Sequence, residues 1–270
     1  MRIVSRVFVA LLAALFVSCS QATEPAAPAS TASAASAAPS AALAADRIQL
    51  LHTDDIHGRL DHEVVKSGTS SFERGGMAML AAQVAALRAR APERTLLVDA
   101  GDAWQGTFIS NTNKGEAVTR AMSLMKYDAM AVGNHEFDWG QDIVAQRATE
   151  ASFPFLGANV IETATGRLPT YLKPYIVRDL GIAKVGVIGL GNPGSNTIVK
   201  AAGIVGLKFG PAAPAVRALL PEVQRQADII IVVAHIGSAD AGQLARDVPG
   251  IDVIVASHDH IPLQTARVEG

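Results

Sequence analysis

One pattern constrains this chain more than any other: a short, almost wholly apolar run stops, and a carboxylate, amide or imidazole follows within a few residues. Ile48-Gln49-Leu50-Leu51-His52 is followed by Asp54-Asp55-Ile56-His57-Gly58, and Thr95-Leu96-Leu97-Val98-Asp99 by Gly101-Asp102. Ala129-Met130-Ala131-Val132 leads into Gly133-Asn134-His135-Glu136. The run 228–234 ends at His235, and 252–256 ends at Ser257-His258-Asp259-His260. Runs of this length read as strands, and strands that are apolar throughout are buried on both sheet faces. Between them, apolar residues at helical spacing predict helices over 76–90, 116–125, 141–151, 214–226 and 239–247; Met77, Leu80, Val84 and Leu87 mark the first. Residues 175–178 and 184–189 read as neighbouring strands about a Leu180-Gly181 turn, and the stretch after Phe153-Pro154-Phe155 reads as looser. Strands alternating with helices predict an α/β architecture.

In open α/β sheets ligands bind beyond the carboxyl ends of the strands. Five of the seven histidines (His57, His135, His235, His258 and His260) fall at such ends. The residue types suit two divalent cations held about 3.5–4 Å apart, which can clamp a phosphate and acidify a water between them. Imidazole and oxygen ligands favour Mn, Zn, Fe or a similar ion, and the absence of thiolates at these points argues against a structural zinc site. Charge is nearly balanced, with 23 basic and 25 acidic residues. A protein that grips long nucleic acid by its backbone usually carries a basic excess, so that class of partner is excluded. Metal ions would neutralise a small phosphate ester without a basic patch.

These motifs resemble those of the calcineurin-like metallophosphoesterases: Asp55-x-His57, Gly101-Asp102, Gly133-Asn134-His135-Glu136, His235 and His258-x-His260. The flanking stretches His52-Thr53-Asp54-Asp55-Ile56-His57-Gly58 and Gly133-Asn134-His135-Glu136-Phe137-Asp138-Trp139-Gly140 are similar to the bacterial 5′-nucleotidase branch. The resemblance covers about residues 47–270. It implies a sandwich of mixed β-sheets flanked by helices, here incomplete at the C-terminus, with a separate nucleotide-binding domain absent. It also implies a ligand set. Asp55, His57, Asp102 and His260 would hold one metal; Asp102 would bridge to a second, completed by Asn134, His235 and His258. His135 would contact the phosphate and Asp138 would orient it, although Asp138 equally suits an N-terminal cap of the next helix. Two residues depart from the pattern. Asp54 stands where Asn is usual and adds charge beside a ligand. Ser257 stands where Gly is usual, and its Cβ is expected to crowd a tight turn. His52 and His62 read as packing or solvent-facing residues, Trp104 and Trp139 as core, and Asn111, Asn113, Asn159 and Asn192 as turn residues.

The start of the chain has its own grammar. Arg2 and Arg6 flank an apolar run over 7–17 that meets Ser18-Cys19. That is a signal-peptide pattern, too short for a comfortable membrane span. Phe16-Val17-Ser18-Cys19 resembles a lipobox, and Cys19, the sole cysteine, is the residue such a box would acylate; a plain cleaved signal is the alternative. Residues 1–19 are accordingly expected to lie outside the fold, with 20–46, rich in Ala, Ser and Pro, as a flexible tether and 47–270 as the catalytic domain. The product would be exported to the periplasm and lipid-anchored.

The function implied is hydrolysis of phosphate monoesters, 5′-nucleotides foremost. Thiosulfohydrolase activity, cyclic-nucleotide phosphodiesterase activity and an inactive, truncated metal-binding fragment stand as alternatives. Aromatic residues are 5% of the chain and none follows Phe209, so little preference among nucleotide bases is expected.

Overall fold

The computed structural model describes residues 8–9, 42–263 and 265–269. In chain order its strands are β1 (Phe8–Val9), β2 (Gln49–Thr53), β3 (Glu63–Ser67), β4 (Ser70–Arg74), β5 (Thr95–Asp99), β6 (Ala129–Ala131), β7 (Phe155–Leu156), β8 (Val160–Glu162), β9 (Tyr175–Asp179), β10 (Lys184–Leu190), β11 (Leu207–Phe209), β12 (Ile229–Ala234) and β13 (Val253–Ala256). Its α-helices are α1 (Met77–Arg88), α2 (Phe108–Thr112), α3 (Glu116–Leu124), α4 (Gln141–Glu150), α5 (Ser195–Ile198), α6 (Ala212–Gln224) and α7 (Gly237–Asp247). Among the described residues, one sheet runs β1-β2-β5-β6-β7 and a second runs β13-β12-β10-β9. Every pair in the first is parallel, and β9 is the one antiparallel strand of the second.

The layers follow from the two-residue period of a strand. Leu50, Leu96 and Val98 face the second sheet and pack with Val185, Val187, Ile231 and Val233. Leu51 and Leu97 face the other way, onto Met77 and Val84 of α1 and onto Val118 and Met122 of α3. In β12 the even-numbered Ile230, Val232 and Ala234 turn outward to meet Val216, Leu220 and Val223 of α6 and Leu244 of α7. The order is therefore helices, sheet, sheet, helices. Each fully buried Leu, Ile or Val contributes roughly 1.5–3 kcal/mol. The two sheets approach closely at Gly189, where any Cβ would collide with Leu156.

Register decides where the site forms. β10, β12 and β13 are paired so that Leu190, Ala234 and Ala256 lie abreast, and Thr53 of β2 lies beside Asp99 of β5. The segments that follow all emerge at one edge of the sandwich.

Two boundaries differ from the sequence reading. Phe8–Val9, placed outside the fold by their signal-like context, pair parallel with Gln49–Leu50. The physical reason is the free edge of β2, whose unpaired N–H and C=O groups accept an extended segment. The expected tether reaches 46, yet its last part is tied down: Leu43 N–H bonds Arg90 O, and the Arg94 guanidinium donates to the carbonyls of Leu43, Ala44 and Arg47. The rest of 1–19, Cys19 included, and residues 20–41 lie outside the described residues. Among the described residues no helix is long and apolar enough to cross a membrane.

Candidate metal centre

The ligand-bearing residues converge in two groups. Asp55, His57 and His260 form one, and Asp102, His235 and His258 the other, with the ligand atoms of each group within 4.8 Å of one another. In the first, Asp55 Oδ1 lies 3.7 Å from His57 Nε2 and 3.4 Å from His260 Nε2, and the two imidazole nitrogens are 3.2 Å apart. In the second, His235 Nε2 lies 2.9 Å from Asp102 Oδ2, and the His235 and His258 rings are 5.0 Å apart. Asp55 Oδ1 and Asn134 Oδ1 are buried and have no hydrogen-bond partner, and His235 Nε2 faces only the Asp102 carboxylate. Buried polar atoms left unpaired are costly, and a cation is a partner that both oxygens would accept. The donor set of carboxylates and imidazoles also fits a divalent transition metal.

The local backbone is bent to make this possible. Asp55, His57, Asp102, His258 and His260 all have left-handed φ, from 47° to 101°. Such a conformation costs on the order of 1–2 kcal/mol for a residue with a Cβ. Surrounding bonds enforce it. His57 N–H donates to Asp102 O at 3.0 Å and Asp55 N–H to Gly101 O at 3.0 Å. Gly101 itself, at φ 95°, abuts Gly133 and His235, where a Cβ would come within 2.6 Å of Gly133 N.

Beneath the ligands sits Glu136, fully buried. Its carboxylate accepts the N–H groups of Asp102, Ala103 and Gly133 at 2.9, 2.9 and 2.7 Å. That one side chain joins the loop after β5 to the loop after β6. Burial, with Asp102 nearby, pushes its carboxyl up to about 7. Asp259 anchors the third loop by accepting from Ser238 N–H and Oγ–H at the start of α7. Sequence reasoning assigned neither residue a role. An acid placed directly after a buried strand, as Glu136 is, has to find buried donors, and that signal was present.

Charge is shared between carboxylates and imidazoles. Burial opposes ionisation of Asp55, but His57, the charge of His235, His258 N–H and the Ser257 hydroxyl together hold its carboxyl far below the usual range. Burial likewise opposes protonation of His235, and the Asp102 carboxylate overcomes it, raising the imidazole to about 9. Protons and metal ions compete for these same lone pairs.

His135 and Asp138 lie beside the first group. The His135 ring is 5.4 Å from that of His57, and its Nδ1 lies 2.6 Å from Asp138 Oδ2. That hydrogen bond is the main reason its imidazole is raised above the ordinary value. Asp138 makes no cap: α4 begins after Gly140 without a side-chain cap bond. Of the residues expected as ligands, Asp55, His57, Asp102, His235, His258 and His260 fall in the two groups, while Asn134 is buried with its Oδ1 unpaired. Asp102 groups with His235 and His258, and its Oδ1 accepts His135 N–H at 2.8 Å.

The two departures behave differently from expectation. Asp54 turns toward His52, 3.3 Å away. Ser257 does not itself adopt a left-handed φ; that conformation falls on His258 and His260. Trp104 is fully buried core, as expected. Asn192 closes a turn by accepting Gly194 N–H, whereas Asn159 ties together the strand-end carbonyls of Gly191 and Gly210.

A layered α/β sandwich with paired metal-ligand groups at its strand ends defines a metal-dependent phosphoesterase. The chain belongs to the calcineurin-like phosphoesterase family, whose model matches residues 48–262. It is 34% identical to human 5′-nucleotidase over 246 residues, 84% of this chain and 40% of that protein. The 5′-nucleotidase precursor of Thermus thermophilus superposes with a TM-score of 0.71 at 33% identity, covering 78% of this chain and 41% of that one. The calcineurin-like phosphoesterase YfkN of Bacillus subtilis gives a TM-score of 0.67 at 28% identity over 80% of this chain and 73% of that one. The chain spans about 40% of the length of the curated relatives it matches.

Proposed function

We propose that this chain hydrolyses phosphate monoesters, nucleoside 5′-monophosphates foremost. The observation that carries the reading is the pair of ligand groups, one beside His135–Asp138, at a single edge of the sandwich. The 5′-nucleotidase names of the relatives supply the substrate class. Two bound divalent cations would supply neutralisation of the phosphate and acidification of the attacking water. Asp55, His57 and His260 would hold one ion, and Asn134, His235 and His258 the other. Asp102 would serve both, and its Oδ1 also accepts His135 N–H. Asp138 accepts His135 Nδ1–H and favours the doubly protonated ring, whose Nε2–H would face the ester and donate to the oxygen on which charge develops. Release of a chromogenic aryl alcohol from its phosphate ester should require added Mn²⁺, stop with chelator and return when metal is restored. Hydrolysis that ignores the chelator would sink the reading.

Export and lipid attachment belong to the same proposal, supported by Arg2, Arg6, the apolar run over 7–17 and the lipobox-like Phe16-Val17-Ser18-Cys19. Labelled palmitate should be incorporated in bacteria expressing the chain and be absent from Cys19→Ala. Equal labelling of both would reject acylation at Cys19.

A further inference from the structure

Ser257 follows β13 and is buried among the ligands, 3% exposed. Its Oγ donates to Asp55 Oδ2 at 2.7 Å and lies 3.1 Å from His235 Nδ1. The hydroxyl has one proton, and the ionised carboxylate can only accept it. Toward His235 the serine oxygen is therefore the acceptor, sharing Nδ1–H with the Ala100 carbonyl at 2.9 Å. With a proton held on Nδ1, Nε2 is the atom that His235 turns toward the second group, 2.9 Å from Asp102 Oδ2. On the other side, Ser257 Oγ–H and His258 N–H, the latter at 3.1 Å, hold Asp55 Oδ2. The unpartnered Oδ1 is thereby left facing His57 and His260 in the first group.

One hydroxyl is thus a single hydrogen bond from a ligand of each group. We propose that Ser257 is a positioning residue for both metal ions: it aims Asp55 Oδ1 and fixes the His235 tautomer, so its loss weakens both sites together. The inference rests on the two-metal reading above. Glycine or alanine at this position can make neither bond.

The test compares the wild-type 270-residue chain with Ser257→Ala and Ser257→Gly. Calorimetric titration with Mn²⁺ should show both binding steps weakened by about 10–100-fold in each variant, the usual effect of removing a group that orients a ligand. Thermal unfolding of the metal-free proteins should stay near wild type. Aryl phosphate turnover should be lost at low Mn²⁺ and recovered at saturating Mn²⁺, because the hydroxyl orients ligands and does not touch the ester. Unchanged affinities, weakening of one step alone, or wild-type affinity in Ser257→Gly beside weakened Ser257→Ala would each overturn the inference. Turnover still depressed at saturating metal would do the same. A wild-type chain that binds no Mn²⁺ would overturn the two-metal reading and this inference with it.

Discussion

Asp102→Ala is expected to abolish metal-dependent ester hydrolysis, a fall of at least about 10³-fold, equivalent to roughly 4 kcal/mol of lost transition-state stabilisation. Three roles meet on this carboxylate. Oδ2 lies 2.9 Å from His235 Nε2, within the second ligand group. Oδ1 accepts His135 N–H at 2.8 Å and so sets the backbone that carries the phosphate-facing imidazole. Its negative charge also supports the raised proton affinity of His235. Asp102 is 2% exposed, so alanine leaves His235 and the His135 N–H without their partner in a place water scarcely reaches. Breaking a buried charge pair from one side typically costs about 3–5 kcal/mol, and some loss of folding stability should accompany the loss of activity. The discriminating measurement is metal content. Elemental analysis should find less metal in Asp102→Ala than in His57→Ala, because in the proposed site Asp102 would serve two ions and His57 one. Two ions per chain together with most of the activity would mean that no carboxylate is shared.

The strand-end placement of the candidate ligands was legible in the sequence because both of its determinants are local. An apolar run such as Ile229–Ala234 can only be a buried strand, and a polar residue immediately after it, such as His235, must appear at that strand's end. Helix spans such as α3 were legible for the same reason: Val118 and Met122 recur at helical spacing among polar residues. The hairpin of β3 and β4 was not. Its strands are exposed on both faces and are pinned by a surface pair, Arg74 to Glu63 at 3.1 Å, so no buried face writes itself into the residue pattern. Nor could the sequence show that His57, His258 and His260 adopt left-handed backbone. Imidazole residues do not demand it; bonds from distant loops impose it. The role of Ser257 was hidden for a related reason: it depends on Asp55, 202 residues away, and a reading by family pattern sees there only a missing glycine. Glu136 belongs with it, since the value of its carboxylate lies in three N–H groups on two loops, which become neighbours only once the sheets have formed.

His135→Ala separates chemistry from metal binding. The imidazole is in neither ligand group; it stands beside the first, its ring 5.4 Å from that of His57. Removing it should leave metal content near two per chain while slowing turnover by on the order of 10²–10³-fold, the usual effect of deleting one transition-state donor. Asp138→Asn gives the finer test. The Asp138 hydrogen bond at 2.6 Å is the largest influence raising the His135 imidazole above its ordinary value. A raised value keeps the ring protonated, and able to donate from Nε2, to higher pH. Activity that needs the protonated ring is full below that value and lost as pH rises through it. In Asp138→Asn the carboxylate's charge is gone, the imidazole loses its proton earlier, and the alkaline limb of the turnover profile should move to lower pH. Steady-state turnover across pH at saturating Mn²⁺, for wild type and both variants, reads all of this. Metal loss in His135→Ala would reassign the residue as a ligand, and an alkaline limb unmoved in Asp138→Asn would detach Asp138 from the chemistry.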